Sequence, residues 1–403
     1  MRNLEKSVPV IRFKGFSEAW EQRKLGDIAN YRNGKAHEQV EDEDGKYTII
    51  NSKFISTNGK VQRYTNEQVE PIFDGEIAMV LSDLPNGKAL AKLFLVKEDG
   101  KYTLNQRIAG ITPNENIDPI FLNFRMNRNN YFLKFDSGVT QTNLSKSQVE
   151  NFIALYPTFD EQYKIGLFFT QLDDTIALHQ RKLDALKLMK KGLLQQMFPN
   201  NEEKVPRLRF ADFNEKWERC KISSFARNTY GGGTPKTNVP EYWQGRIPWI
   251  QSGDLLIDSL FNIIPKKHVT GSAVKSSATK CIPANSIAIV TRVGVGKLAF
   301  IPFEYTTSQD FLSLSNLRVD SNFGTYSIYI MLQRELNNIQ GSTIKGITKS
   351  DLLEKNINKP LNRIEQERIG VSLKLLDNII TLHQSKLEKL SSLKKVYLQR
   401  MFI

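Results

Sequence analysis

Apolar side chains recur along two stretches of this chain with a period of 3.5 residues. Ile369, Leu373, Leu376, Ile380, His383, Leu387, Leu390, Lys394, Tyr397 and Met401 advance by four and three residues in strict alternation. Subtracting 204 gives the same ladder upstream: Ile165, Phe169, Leu172, Ile176, His179, Leu183, Leu186, Lys190, Leu193 and Met197. A 3.5-residue repeat held over four heptads predicts a coiled-coil seam rather than the wider stripe of a helix lying on a globule. At about 1.5 Å per residue each stretch makes a helix roughly 50 Å long, and two such rods in one chain pack most simply on each other. His179 and His383 interrupt the seam in register, where a polar residue serves to fix pairing; a pH switch is the alternative. Lys190 and Lys394 are expected to lay their stems over the seam with the amines in water, or to mark where the seam meets a partner.

The rest of the first half has a different pattern. Val8 to Ala29 reappears as Val205 to Ala226 at an offset of 197, with Phe16 falling on Phe213 and Trp20 on Trp217. A helix is expected from Trp20 to Ala29, with Ser17 and Asn214 placed to cap. Short β-branched or aromatic runs follow: Tyr47–Asn51, Glu76–Leu81, Ala89–Val96 and Gln106–Pro113. Asn58-Gly59, Asp74-Gly75, Asn86-Gly87 and Asp99-Gly100 punctuate them as turns. A helix is expected around Pro119 to Phe135.

The second half repeats this order with diverged content. Ile247–Leu255 stands where Tyr47–Ile55 stood, Ser286–Phe300 answers Glu76–Ala91, and Gly341–Glu354 answers Ser137–Glu150. Tyr305-Thr306 with Gln309 matches Tyr102-Thr103 with Gln106 at an offset of 203. The expected architecture is mixed α/β (α+β): two strand-rich globules separated by two long helices in an antiparallel coiled coil, a tandem duplication with pseudo-two-fold symmetry. The expected boundaries are a first globule at 1–158, a helix at 159–199, a second globule at 200–361 and a helix at 362–403. Helices and openings repeat closely while globule interiors repeat only in outline. Two copies under the same packing constraints stay alike where packing decides, and drift where each reads something different.

Charge changes the picture most. The 403 residues carry a formal net charge of +13, and a basic surface attracts polyanions, nucleic acid above all. Two cysteines, Cys220 and Cys281, are too few for a disulfide framework and fit a reducing cytoplasm. No run approaches the roughly 18 apolar residues of a membrane span, and the first residues hold no apolar export signal.

Catalytic chemistry is sparse. His37 and His268 have no Cys, His or carboxylate at ligand spacing, so no metal site is expected. Gly294-Val295-Gly296-Lys297 lacks the full phosphate-loop pattern and reads as a hairpin turn; Gly231-Gly232-Gly233-Thr234 reads as a flexible loop. No nucleophile elbow or zinc-protease motif occurs, nor the Asn-Pro-Pro-aromatic signature of an amino-methyltransferase. Asp74 and Glu76 are nominal nuclease carboxylates, but Asp-Gly before an apolar run favours a turn entering a strand. The chain is not expected to be an enzyme on its own.

DNA recognition needs cations for phosphates and planar hydrogen-bonding side chains for base edges. Loop-like stretches of the first globule supply Arg32, Asn33 and Lys35; Ser52 and Lys53; Asn105, Gln106 and Arg107; and Gln141, Thr142 and Asn143. The second supplies Thr234, Lys236 and Thr237; Gln251 and Ser252; Arg292 and Lys297; Gln309; and Lys345.

Taken together these features resemble the specificity subunit of type I restriction–modification systems over essentially the whole length. The resemblance rests on the duplicated Pro-x-(Ile/Leu)-Arg-Phe-x-x-Phe…Trp opening (Pro9 to Trp20, Pro206 to Trp217), on Ile247–Leu255, and on the helix motif. In the first copy that motif is Glu161, Gln162, Ile165, Gly166, His179, Gln180, Lys182, Leu183, Met197 and Phe198. In the second it is Glu365, Gln366, Ile369, Gly370, His383, Gln384, Lys386, Leu387, Met401 and Phe402.

The resemblance implies two target recognition domains, each reading half of a bipartite, asymmetric DNA sequence, with the helix pair fixing the unread spacer. It implies two methyltransferase subunits that use S-adenosylmethionine to methylate adenine, and two restriction (motor–nuclease) subunits that use ATP and Mg, with no cofactor on this chain. The first globule has Tyr47-Thr48-Ile49-Ile50-Asn51-Ser52-Lys53 where the second has its Trp-Ile…Gly-Asp run, which implies a different half-site. A rod of about 50 Å spans roughly one and a half turns of duplex. The rival readings are a stand-alone DNA-modifying enzyme and a DNA-binding scaffold.

Overall fold

The strand-forming runs of the first half pair into two small sheets in the computed structural model, which describes residues 8–37, 40–200, 202–338 and 346–402. The chain divides into two units, Met1–Gln180 with Ser385–Ile403, and Arg181–Gln384. In the first unit the main strands are β1 (Ala29–Asn33), β2 (Tyr47–Ile50), β3 (Ile77–Val80), β4 (Leu93–Leu95), β5 (Tyr102–Leu104) and β6 (Ile108–Pro113). One antiparallel sheet has the order β1-β6-β3-β4, and β2 runs parallel to β5 in the other. Strand β3 is apolar at every position because it is covered twice. Ile77 and Met79 face the core of helix α1 (Pro119–Met126), and Ala78 and Val80 face the second sheet.

The second unit repeats this arrangement. Its main strands are β7 (Ala226–Gly231), β8 (Ile247–Ile250), β9 (Ser286–Val290), β10 (Leu298–Ile301), β11 (Thr306–Thr307) and β12 (Phe311–Leu317). The order β7-β12-β9-β10 and the parallel β8–β11 pair match the first unit strand for strand. Ile287 and Ile289 of β9 again face one core, Ala288 and Val290 the other. Gly294 and Gly296 turn the chain between β9 and β10 with φ of +94° and +98°, so this stretch is a hairpin turn.

The expected helix from Trp20 to Ala29 is mostly strand. Glu21–Lys24 pairs antiparallel with Ile153–Tyr156, leaving one helical turn at Leu25–Ile28, and Glu218–Lys221 pairs likewise with Asn356–Lys359. A charged tetrapeptide with weak strand propensity is held extended by its neighbour's backbone.

The two long helices are α2 (Phe159–Gln196) and, after α3 (Ser321–Asn338), α4 (Arg363–Met401). Their repeated opening motif is a joint to the globule. Glu161, fully buried, accepts from Nε and Nη2 of Arg12, each at 2.7 Å; Glu365, 1% exposed, accepts from Nε and Nη2 of Arg209 at 2.8 and 2.9 Å. Each is a bidentate, charge-assisted pair withdrawn from water. One residue on, Gln162 accepts from the Asp118 amide and donates to the Pro157 carbonyl, and Gln366 does the same with Asp320 and Pro360. A Cβ on Gly166 would sit 2.8 Å from the Asp118 carboxylate, and one on Gly370 would sit 2.6 Å from that of Asp320. Those two aspartates cap the α1 and α3 turns through the Phe121 and Phe323 amides, so only glycine lets the long helix come this close.

Each unit also receives the far end of the other globule's helix. In the first unit Phe402 packs on Phe121 and Phe169 at 5.3 and 5.7 Å, beside buried Met401 and Trp20. In the second, Phe198 stacks on Phe323 at 5.5 Å, beside Met197 and Trp217. Within the first unit Phe168 meets Tyr397 at 5.2 Å while Asp173 meets Lys394 at 2.5 Å, so α2 and α4 run antiparallel. The second unit holds the counterpart pair, Lys190 with Asp377 at 2.5 Å. Lys190 and Lys394 therefore do not leave their amines to water alone; each is paired with the aspartate of the facing helix. Of the seam residues Ile165, Phe169, Leu172, Ile176, His179, Leu183, Leu186, Ile369, Leu373, Leu376, Ile380, His383, Leu387 and Leu390, none is exposed.

Candidate nucleic-acid interface

The ends of β1, β2, β3 and β5 converge through backbone hydrogen bonds. Lys35 N donates to Leu104 O at 3.0 Å, Asn105 N to Ile50 O at 3.0 Å, Leu81 N to Arg107 O at 3.0 Å, and Leu144 N to Leu81 O at 2.8 Å. The second unit makes the same four links: Gly233 N to Thr307 O at 2.9 Å, Ser308 N to Ile250 O at 3.0 Å, Thr291 N to Asp310 O at 2.7 Å, and Ile347 N to Thr291 O at 2.8 Å. Five separate loops are thereby locked into one junction, twice. Every described candidate residue lies on these loops or beside them.

In the first junction Lys53, Gln106, Arg107, Gln141 and Asn143 are exposed, and Ser52 and Asn105 are half-buried. Asn51 caps the short helix Ser52–Ser56 through the Phe54 amide at 2.9 Å, which places Ser52 and Lys53 on its first turn. Asn105 donates to the Gln106 side chain at 3.0 Å, and Gln141 to the Ser82 hydroxyl at 2.7 Å. Asn33, exposed, accepts from the Tyr31 hydroxyl. Thr142 is buried and its hydroxyl is spent on Asp136.

Arg32 is corrected by the structure. All five of its N–H donors are taken, by Glu70, by both oxygens of Glu76, by Thr112 and by the Pro71 carbonyl. Burial pushes the Glu76 carboxyl up, but hydrogen bonds from Arg32, Thr112 and the Phe73 amide outweigh it and hold it below the usual range. Arg32 is a strut of the sheet with no donor left for a phosphate. Glu76 is its partner and not a nuclease carboxylate, while Gly75 turns into β3 with φ +79°. Lys35 pairs with Glu70 at 3.1 Å although its own side chain is 60% exposed.

In the second junction Thr234 donates to Gln309 at 2.6 Å, and both are exposed together with Lys236, Thr237 and Arg292. Gln251 begins a capped turn, its amide donating to Asp254 at 3.0 Å, and Lys297 donates to the Ser252 carbonyl at 3.1 Å. The Trp-Ile-Gln-Ser-Gly-Asp run is thus a turn staple, with Trp249 buried and its indole donating to Gly233 O. Lys345 lies outside the described residues. The glycine run Gly231 to Gly233 is no flexible loop. Cβ atoms there would meet Lys349 Nζ at 2.6 Å, Ser308 O at 2.0 Å and the Ala278 carbonyl carbon at 2.6 Å in turn. Sequence reasoning missed Lys280 and Lys349, which this packing brings to the junction; the glycine triplet was the available signal.

No group of three or more His, Cys, Asp or Glu among the described residues is placed to hold a metal ion. Among them too, no helix is long and apolar enough to cross a membrane.

Residues 17–188 and 214–392 each match the type I restriction modification DNA specificity domain. The MjaVIII type I restriction enzyme specificity subunit of Methanocaldococcus jannaschii is 21% identical over 403 residues, covering 94% of this chain and 91% of that one. The EcoR124I/EcoR124II specificity subunit of Escherichia coli is 35% identical over 175 residues, 40% of each chain. In fold, the chain matches the crystal structure of a type I restriction-modification system S subunit from M. genitalium with a TM-score of 0.65 at 12% identity, over 98% of this chain and 99% of that one. With two domain copies spanning most of its length, the chain belongs to the type I restriction–modification DNA specificity family.

Proposed function

We propose that each junction reads one half of a bipartite, asymmetric DNA target, and that the helix pair sets the unread spacer and docks two methyltransferase subunits for adenine-N6 methylation. Two motor–nuclease subunits join for restriction. In this reading S-adenosylmethionine belongs to the methyltransferase subunits and ATP and Mg to the motors, and the assembly works in the cytoplasm. The chain is the DNA-recognition subunit and performs no chemistry itself. The observation that carries the reading is the junction built twice on the same four backbone links with largely different exposed side chains. One frame with two sets of hydrogen-bonding groups is what two half-sites require, because phosphates position a reader and base edges specify it.

The test is single-molecule methylation sequencing of a host that expresses this chain with its methyltransferase subunit. Methyladenine at one interrupted motif, lost on deletion of this chain, is expected. A continuous palindrome overturns the two-reader proposal, and methylation that persists without the chain favours a scaffold. One heptad inserted into both long helices should lengthen the spacer in that map and leave both half-sites unchanged.

A further inference from the structure

The lysine that opens the last short helix of each globule occupies the same position in the two units and meets opposite surroundings. Lys146 of Lys146–Glu150 pairs with Glu150 four residues on, at 3.6 Å, and sits over the Tyr31 ring at 5.8 Å. Lys349 of Lys349–Glu354 has Leu353 at that spacing. Its ammonium lies instead across Gly231, 2.6 Å from where a Cβ would be.

The glycine triplet gathers further cations around it. Gly233 is packed against Ala278 and accepts from the Thr279 hydroxyl at 2.8 Å, which delivers Lys280. The Ile347–Thr291 backbone link and the close pass of Gly346 over Arg292 bring the Arg292 loop beside Lys349. None of Lys280, Arg292 and Lys349 is in an ion pair among the described residues, and the carboxylate of Asp310 accepts from the Ser308 hydroxyl. Burial, then Arg292 and Lys280, hold the Lys349 ammonium below the usual lysine range. Three uncompensated cations gathered by close packing repel one another, and an anion between them relieves that cost.

We propose that Lys280, Arg292 and Lys349 form a clamp on a backbone phosphate of duplex DNA, present in the second unit and absent from the first. The clamp rests on the reading of the junctions as DNA interfaces. It positions the second unit on the duplex without reading a base, and the first unit, with Lys146 already neutralised, docks by other contacts. A phosphodiester suits the site because it offers charge and acceptors to several donors at once.

The experiment measures binding of the full chain in its assembled enzyme to fluorescent duplexes, with and without the methylated motif, as salt is varied. K349Q should weaken binding to both duplexes alike and reduce the slope of log K against log salt by about one. K349R should keep the wild-type slope, and R292Q should reduce it again. G231A offers an independent check, since its new Cβ displaces only the far end of a flexible side chain, and it should reproduce the K349Q loss. K146Q should leave the slope unchanged. A wild-type slope in K349Q, or an equal loss in K146Q, overturns the clamp alone. A wild-type enzyme that binds no duplex overturns the functional reading as well, so the two failures are told apart.

Discussion

The joints and the junctions of this protein differ in what duplication has left alone. At the joints, Arg12 and Arg209 meet Glu161 and Glu365 with the same bidentate geometry, and Gly166 and Gly370 admit the same capping aspartates. At the junctions the backbone links coincide and the exposed Gln106 and Gln309 correspond, but the other exposed groups differ: Lys53, Arg107 and Asn143 in one unit, Lys236, Thr237 and Arg292 in the other. Where a side chain is fixed by packing, both copies carry it. Where it faces outward over a fixed frame, most positions differ between the copies. The lesson is that a duplicated chain can separate what holds it together from what it recognises.

The largest test of that separation is at the joint. Glu365→Ala strands Arg209, half-buried, and the Trp217 indole that donates to Glu365 at 3.2 Å, so it should cost about 3–5 kcal/mol in thermal unfolding. Glu161→Ala should cost less, by about 1 kcal/mol, because the buried Trp20 indole has no acceptor to lose. Equal losses would mean the Trp217 bond contributes nothing.

A second test sits beneath the first junction. Glu76 titrates lower in the folded protein than its ordinary value of 4.5, so the stability it contributes is present above that pH and is lost as pH falls through the folded value. Acid unfolding should show this limb, and Glu76→Gln should flatten it. An unchanged acid limb in the variant would remove Glu76 from the account.

The junctions answer to finer measurement. Arg107→Ala should relax methylation at one half-site roughly tenfold, the low end of about 1–3 kcal/mol per contact, and spare the other; Gln309→Ala should do the converse. Relaxation of both halves by either variant would break the assignment of one reader per unit. The smallest effect is expected at the seam. Lys190→Ala loses a largely buried pair with Asp377, which the Tyr326 hydroxyl also contacts at 2.6 Å, and should cost about 1 kcal/mol. Lys394→Ala loses a more exposed pair over Phe124, which has no hydroxyl, and should cost less than about 1 kcal/mol.

Much of this architecture was legible in the sequence because packing writes periodic and repeated signals. The 3.5-residue ladder announces the long helices, and the shared offset announces two copies of one globule. Side-chain roles at the junction were less legible, because residue type does not disclose a partner. Arg32 looks like a phosphate contact until Glu70 and Glu76 are found beside it. Lys190 and Lys394 look like snorkelling lysines until the facing aspartates, 204 positions apart like the lysines themselves, come into register. Lys349 was invisible for the opposite reason: its counterpart Lys146 is an ordinary paired lysine, and only the glycines it crosses distinguish it. The strand at Glu21–Lys24 was misread as helix because a backbone neighbour some 130 residues away decides its conformation.

The swapped ends of the long helices have a consequence for how the protein is made. The core of the first unit is finished by Met401 and Phe402, the last described side chains to leave the ribosome. At roughly 5–20 residues per second, the first globule waits some 10–40 s after its own chain is complete while about 200 more residues are synthesised. Throughout that interval Phe121 and Phe169 lack the ring that covers them in the finished molecule. Synthesis of the far end of the second long helix, rather than completion of the first globule's own stretch of chain, is the event that closes this core.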